Sequence, residues 1–367
     1  MAERGYPPMA MDAAAAAGDL SKVFVWRAPD APGVAGRSLS SEYAELKQLV
    51  KERGLLDKQP AYYAGTSLVA LSLLGLAVAV LVLADSLWLR LLDAAALAFA
   101  LTQLSFIGHD AGHRQICRSG RRADIILLGV SFLIGMERTW WVEKHIRHHN
   151  NPNCLDLDDD INVSVLAFTE ECALAKKGFS RFIVRHQAFF FYPIMFLASL
   201  SFVFAGIHFL LTKGQPKYPV AEPLAVGAHL AAYLGLLFYL LEPWQAAVFI
   251  GVHHSLQGLY MGSVFAPNHK GMPVLKAGDQ LDFLQKQVLT ARNVKPNPVN
   301  DFCYGGLNYQ IEHHLFPTMA RNKLWEARKI VREFCRTRSI PYHETGILGS
   351  QREILGYLHR VSAPLRS

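Results

Sequence analysis

The chain has 367 residues, 51% of them hydrophobic, with a mean hydropathy of +0.16. That is too apolar for an ordinary soluble protein and too polar for a bundle lying wholly in a bilayer, so a membrane protein with a sizeable water-exposed part fits best. A net charge of +7 suits Lys and Arg gathered on the cytoplasmic side of a membrane, and nucleic acid is not an expected partner.

Residues 1–37 are rich in Ala, Gly and Pro and are expected to be disordered. No apolar run of signal-peptide type follows them. Ser41 then reads as the N-cap of "EYAELKQLVKERG", with Glu42 in the first turn and Gly54 at the end. This amphipathic helix is expected at the membrane surface. Residues 62–84 are uncharged and long enough to cross ~30 Å of hydrocarbon. Residues 87–107 form a second expected span, weakened by Arg90 and Asp93 and joined to the first as a hairpin. The run 124–135 is too short to cross and predicts an in-plane or core helix.

Three apolar runs follow, at 188–212, 224–242 and 244–265. Loop charges arbitrate among topologies. Lys47, Lys51, Arg53 and Lys58 precede the first span; Arg114, Arg118, Arg121 and Arg122 follow the second; the turns at 85–86 and 242–243 carry no Lys or Arg. The simplest solution has four spans (62–84, 87–107, 224–242 and 244–265) with both termini cytoplasmic. The run 188–212, interrupted by Pro193, then dips into the membrane or lies flat. A membrane domain over 38–345 and a C-terminal tail over 346–367 complete the division. Five scattered cysteines with no C-x-x-C read as free thiols on a reducing side.

The chemistry gathers in the histidines. "HDAGH" places His109 and His113 four residues apart; "HIRHH" places His145, His148 and His149 at i, i+3 and i+4; "QIEHH" repeats that spacing with Gln310 ahead of His313 and His314. Residues so spaced share a helical face. His269 follows the last span. In the four-span topology all of them lie at the cytoplasmic face. A lone histidine is more often a satisfied core or surface side chain. Eight in clusters exceed what one zinc takes and suit two ions. Nitrogen donors suit iron, copper, zinc or nickel alike. His253 and His254 lie ~22 Å along the helix from His269 and are poor ligand candidates. Asp156, Asp158, Asp159 and Asp160 read either as a further hard-metal site or, more simply, as loop caps.

"HDAGH", "WWVEKHIRHH" and "GGLNYQIEHH" resemble the three histidine boxes of the integral-membrane fatty acid desaturases, and "GLYMGSVFAPNHKG" resembles that family's last span with its extra histidine. The likeness covers roughly residues 40–340 and is nearest to bacterial front-end acyl desaturases without a fused cytochrome domain. It implies an all-α membrane fold: four transmembrane helices, in-plane or re-entrant helices, and a cytoplasmic helical cap holding a histidine-rich di-metal site. It implies two non-haem irons held by His109, His113, His145, His148, His149, His269, His313 and His314, with dioxygen as co-substrate and acyl-CoA, acyl carrier protein or phospholipid as acyl donor.

Gln310 stands where many relatives have histidine and is expected just outside the donor set or acting through a water. Asp110 and Glu312 are candidates for orienting imidazoles, and Trp140 and Trp141 for walling the substrate pocket. No haem, flavin or nicotinamide motif occurs, so a separate electron donor, such as a ferredoxin with its reductase, is expected. The basic stretch 321–338 reads as its docking face or as a solvated helix. A hydroxylase, epoxidase or acetylenase on the same scaffold is the alternative. A non-enzymatic metal-binding membrane protein fits less well.

Overall fold

The computed structural model describes residues 39–367 apart from Lys213, Ala277, Gln280 and Ser367, so the expectation of disorder for 1–37 lies outside the described residues. The first helix, α1 (Leu39–Glu52), starts ahead of Ser41. Its apolar stripe is not turned to a bilayer. Leu46 and Val50 are fully buried against Leu284, Val288, Phe316, Leu324 and Phe334. Protein packing therefore claims the apolar face of this helix. Arg338 fastens the polar side, 2.7 Å from Glu45.

Pro60 starts α2 (Pro60–Leu83), where its missing N–H costs nothing. Extended Ala84 ends it, and α3 (Leu87–Gly112) returns after a three-residue turn. The two differ in burial. Only Tyr63, Ala70, Ala77 and Leu81 of α2 are buried, whereas α3 is buried almost continuously from Ala94 to Ala111. Thus α2 faces outward with an apolar surface, and α3 is the central post of the bundle. The next pair, α4 (Gly120–Ile134) and α5 (Arg138–Asn150), meets at 111°. Gly135, at φ 70°, makes the turn, and the Glu137 side chain caps α5 by accepting from the Trp140 N–H. The segment expected to be too short to cross is thus a short helix bent sharply away from its successor.

Short helices α6 (Glu170–Ala175) and α7 (Gly178–Arg185) lead into α8 (Gln187–Met195) and α9 (Ala198–Thr212). These last two are bent by 67° where the sequence has Pro193 and a break. Then come α10 (Ala221–Leu240) and α11 (Pro243–His269), the latter opened by Pro243 and a reciprocal Glu242–Gln245 capping box. Among the described residues three helices are long and apolar enough to cross a membrane: α2, α3 and α10. They coincide with the expected spans 62–84, 87–107 and 224–242. The fourth expected span lies within α11, which has 27 residues but whose apolar character is diluted by buried His253, His254 and Gln257. An apolar cluster joins these helices through Ala77, Leu101, Leu104, Val130, Leu237 and Phe249.

The chain then builds a cap: α12 (Phe283–Leu289), β1 (Asn293–Val294), α13 (Pro298–Cys303), α14 (Gln310–Leu315), α15 (Leu324–Thr337), β2 (Glu344–Thr345) and α16 (Ile347–Val361). The two strands pair in parallel, Asn293 opposite Glu344. Residues 346–367, set apart on sequence as a tail, supply α16, whose Ile354 and Leu358 are fully buried beside Phe168, Phe191 and Ala266. The protein is thus an all-α membrane fold, its long apolar helices bearing a helical cap.

Candidate metal centre

Four helices end at one place. His109 lies in the last turn of α3, with His113 as its C-cap; His148 and His149 lie in the last turn of α5; His269 closes α11; His313 and His314 close α14. Glycines bring α14 to α3. Gly305 and Gly306 have φ of 56° and 80°, and a Cβ on Gly305 would stand 2.5 Å from the Phe106 ring, one turn before His109. Only glycine permits both the left-handed backbone and that approach.

The eight expected histidines all converge, and they divide. His109, His113, His145, His149 and His313 form one group, and His148, His269 and His314 another; within each, the ligand-capable nitrogens lie within 4.8 Å of one another. The adjacent pairs explain the division. Neighbours on a helix point about 100° apart, so each His-His pair contributes one ring to each group. Residues four apart, His109 with His113 and His145 with His149, stay together.

Facing Nε2 atoms are separated by 2.8 Å between His113 and His145, 3.1 Å between His149 and His145, and 3.1 Å between His313 and His149. In the smaller group His269 Nε2 lies 3.2 Å from that of His148 and 3.1 Å from that of His314. Four of the other ring nitrogens are held from outside, whereas Nδ1 of His149 and of His313 is buried without a partner. His109 Nδ1 meets Asp110 Oδ1 at 3.0 Å, His148 Nδ1 meets Asp158 Oδ2 at 3.0 Å, His269 Nδ1 meets the Thr290 carbonyl at 2.9 Å, and His314 Nδ1 meets Gln287 Oε1 at 2.8 Å.

In these four rings such partners favour the tautomer with Nδ1–H pointing out and the Nε2 lone pair pointing in. Burial, reinforced by neighbouring imidazoles, holds His145, His149, His313 and His314 well below the ordinary imidazole range. In the smaller group His269 and His314, both bound through Nδ1 to oxygens, turn Nε2 lone pairs toward each other, and these repel unless a cation lies between them. The donor set therefore fits metal ions, and its all-imidazole character fits borderline transition metals.

Asp110, a candidate for orienting an imidazole, lies against His109 through Oδ1. Its other oxygen bonds Arg321 Nε and accepts from Tyr63 OH at 3.0 Å. Glu312 is turned away from the rings. It accepts from Asn293 Nδ2 at 2.7 Å and from Tyr342 OH at 2.9 Å, which pins α14 to β1, and burial pushes its carboxyl up to about 7. Gln310 sits with the smaller group, its Nε2 2.9 Å from His269 Nε2 and its Oε1 accepting from Asn268 at 3.0 Å.

Trp141 stacks on His145 at 4.8 Å and walls the larger group, whereas Trp140 packs on Phe202. Asp158 also accepts the backbone N–H groups of Asn153 and Asp160, at 2.8 and 2.9 Å, so it caps its own loop, and Asp160 is paired with Lys144. His253 and His254 stay apart from both groups, bonded to Tyr233 and Ser199 at 2.8 and 2.9 Å. Sequence reading missed Gln287, Thr290, Tyr63 and Arg321. None lies in a histidine motif, although Arg321 follows "QIEHHLFP" by only four residues.

The chain matches the family model described as fatty acid desaturase over residues 86–346. An acyl-lipid (9-3)-desaturase of Physcomitrium patens is 28% identical over 335 residues, covering 88% of this chain and 63% of that protein. A delta(6) fatty-acid desaturase of Caenorhabditis elegans is 30% identical over 321 residues, covering 83% and 71%. A delta(8) fatty-acid desaturase of Arabidopsis thaliana is 27% identical over 325 residues, again covering 83% and 71%. This chain belongs to the fatty acid desaturase family.

Proposed function

We propose that the chain is a membrane acyl desaturase whose histidines hold two irons and which inserts a C=C bond into an acyl chain with dioxygen and two externally supplied electrons. The observation that carries this reading is the convergence of eight imidazoles, as five and three, where four helices end. Bound iron would supply the activation of dioxygen needed to attack an unactivated methylene.

The chain's own residues do the rest. His109, His113, His145, His149 and His313 would hold one ion and His148, His269 and His314 the other. Asp110, Asp158, Thr290 and Gln287 keep the rings aimed inward. Trp141 shields one side from water. Electrons would come from a separate donor, such as a ferredoxin with its reductase, docking on the basic face of α15. The test is expression in a host lacking the gene, with lipid profiling beside elemental analysis. New unsaturated acyl chains and about two irons per chain are expected. Active protein with one zinc and no iron would end the reading.

The two groups are unequal, and Gln310 belongs to the poorer one. A concerted flip of the Asn268 and Gln310 amides keeps their mutual hydrogen bond while turning Gln310 Oε1 toward the centre. Gln310→His should therefore be tolerated, because it restores the i, i+3, i+4 pattern. Gln310→Leu should weaken iron retention less than loss of any one of the histidines. Equal damage from Gln310→Leu and His314→Ala would make the amide a direct ligand.

The proposed topology has spans 62–84, 87–107, 224–242 and 244–265, both termini and the metal centre on the cytoplasmic side. Single cysteines placed in sealed vesicles should then label at positions Cys117, Lys176, Lys276 and Cys303 from one side and at Asp85 and Glu242 from the other. Labelling of Asp85 and Cys117 from the same side would overturn it.

A further inference from the structure

Outside both histidine groups, α7 and the start of α8 carry an exposed aromatic ridge. Phe179, Phe182 and Phe189 are 74%, 52% and 76% exposed. The rings touch in sequence: Phe179 lies 6.4 Å from Phe182, Phe182 lies 5.5 Å from His186 and 6.0 Å from Phe190, and Phe190 lies 5.2 Å from Phe189. The ridge is firmly mounted on the cap. Behind it Val184 packs against Ala173, Val361 and Leu365. Gln187, fully buried, accepts from the Ala167 N–H at 2.9 Å and donates to the Ala167 and Leu358 carbonyls at 3.1 and 2.9 Å. Contiguous apolar surface held out in this way marks an interaction site.

Charge selects what covers it. Phe179 and Phe182, three residues apart, share one flank of α7, and Arg181 and Arg185, four apart, share the other. Lys177, Arg181 and Arg185 are exposed and make no ion pair among the described residues. No Asp or Glu occurs between Glu171 and Glu222, and Glu171 itself meets Lys276 at 3.3 Å. The exposed apolar surface continues through Leu197 into α9, at Phe204 and Leu211. Rings beside unpaired cations, continuous with an apolar helix, fit the boundary between hydrocarbon and headgroups, where the rings enter the acyl layer and Lys and Arg reach phosphate. A second copy of the chain packed on the same patch would set these cations against their own kind.

We infer that residues 177–190 form an interfacial anchor that fastens the cap to the membrane surface, taking the headgroups of anionic phospholipids on Lys177, Arg181 and Arg185 and sinking the phenylalanines beside them. This surface lies outside the proposed reaction. Its test needs neither bound metal nor turnover.

The purified full chain is placed in phosphatidylcholine nanodiscs with a trace of photoreactive lipid, either phosphatidylglycerol or phosphatidylcholine carrying the same diazirine on its acyl chain. Labelled peptides from 177–190 are compared with those from α9, which also exposes apolar side chains but has no Lys or Arg. Relative to α9, labelling at 177–190 should favour phosphatidylglycerol by about fivefold or more, the effect of one basic side chain at an anionic surface. Salt at about 1 M, which screens within ~3 Å, should remove most of that preference. Lys177→Gln, Arg181→Gln and Arg185→Gln together should abolish it while labelling by phosphatidylcholine stays. Phe179→Ser, Phe182→Ser and Phe189→Ser together should lower labelling by both lipids. Every altered side chain is exposed, so both variants should keep the parent's melting temperature. Equal labelling of 177–190 by the two lipids, or a preference that survives the triple Gln substitution, would overturn the proposal. So would absence of labelling by either lipid, and cross-links between chains at this patch would then assign it to a second copy.

Discussion

His149→Ala should empty the larger histidine group of metal and abolish desaturated product. Its Nε2 faces those of His145 and His313, each at 3.1 Å, so the substitution removes a donor from the middle of the set. Loss of a group that merely orients a ligand costs about 10–100-fold in metal affinity, and loss of the donor itself should exceed that. His313→Ala should behave alike. His253→Ala is the control, since that ring is bonded to Tyr233 and stands outside both groups; iron and product should persist. Iron content and product are read on the same preparations. Full iron and full activity in His313→Ala would sink the constellation and the function built on it.

Gly305→Val should be the most damaging change outside the histidines. The backbone there is left-handed, and an added Cβ would meet the Phe106 ring at 2.5 Å. Phe106 is 1% exposed and packed edge-on against Tyr260 and Phe265, so it has no room to retreat. Backbone strain and overpacking together should cost on the order of 3 kcal/mol or more. A lowered melting temperature in detergent is expected, with loss of bound iron as α14 leaves α3. Phe106→Leu should recover part of the loss in the double variant. A Gly305→Val protein with the parent's melting temperature and iron content would show that this approach does not position the site.

The histidines were legible in the sequence because local spacing carries them. Separations of three and four put rings on one face wherever a helix forms, and the long uncharged runs at 62–84 and 224–242 can hardly be anything but apolar helices. The division into five and three was not legible. It depends on which way each member of a His-His pair turns once α5 and α14 meet, and that is set by packing between segments more than 150 residues apart. The groups behind the rings were hidden for the same reason. Gln287 sits in a seven-residue helix with no motif, and Thr290 contributes a backbone carbonyl that any residue could have supplied. The partners of the α1 stripe were hidden too, because amphipathicity reports that one face is covered and not what covers it.

The four helices that end at the histidines have a further consequence. A helix presents its unpaired carbonyls at its C-terminus, equivalent to roughly half a negative charge that fades within a turn. Here α3, α5, α11 and α14 direct that end to one small volume, α14 more weakly because it has only six residues. Imidazoles bring no charge of their own, so these helix ends, with the Asp110 and Asp158 carboxylates behind His109 and His148, would supply negative potential to bound cations, least at α11, where the buried Arg292 guanidinium takes the Pro267 and Lys270 carbonyls. Such a potential would oppose phosphate or carboxylate, and would hold the charged head of an acyl substrate at the rim while its uncharged chain went inside.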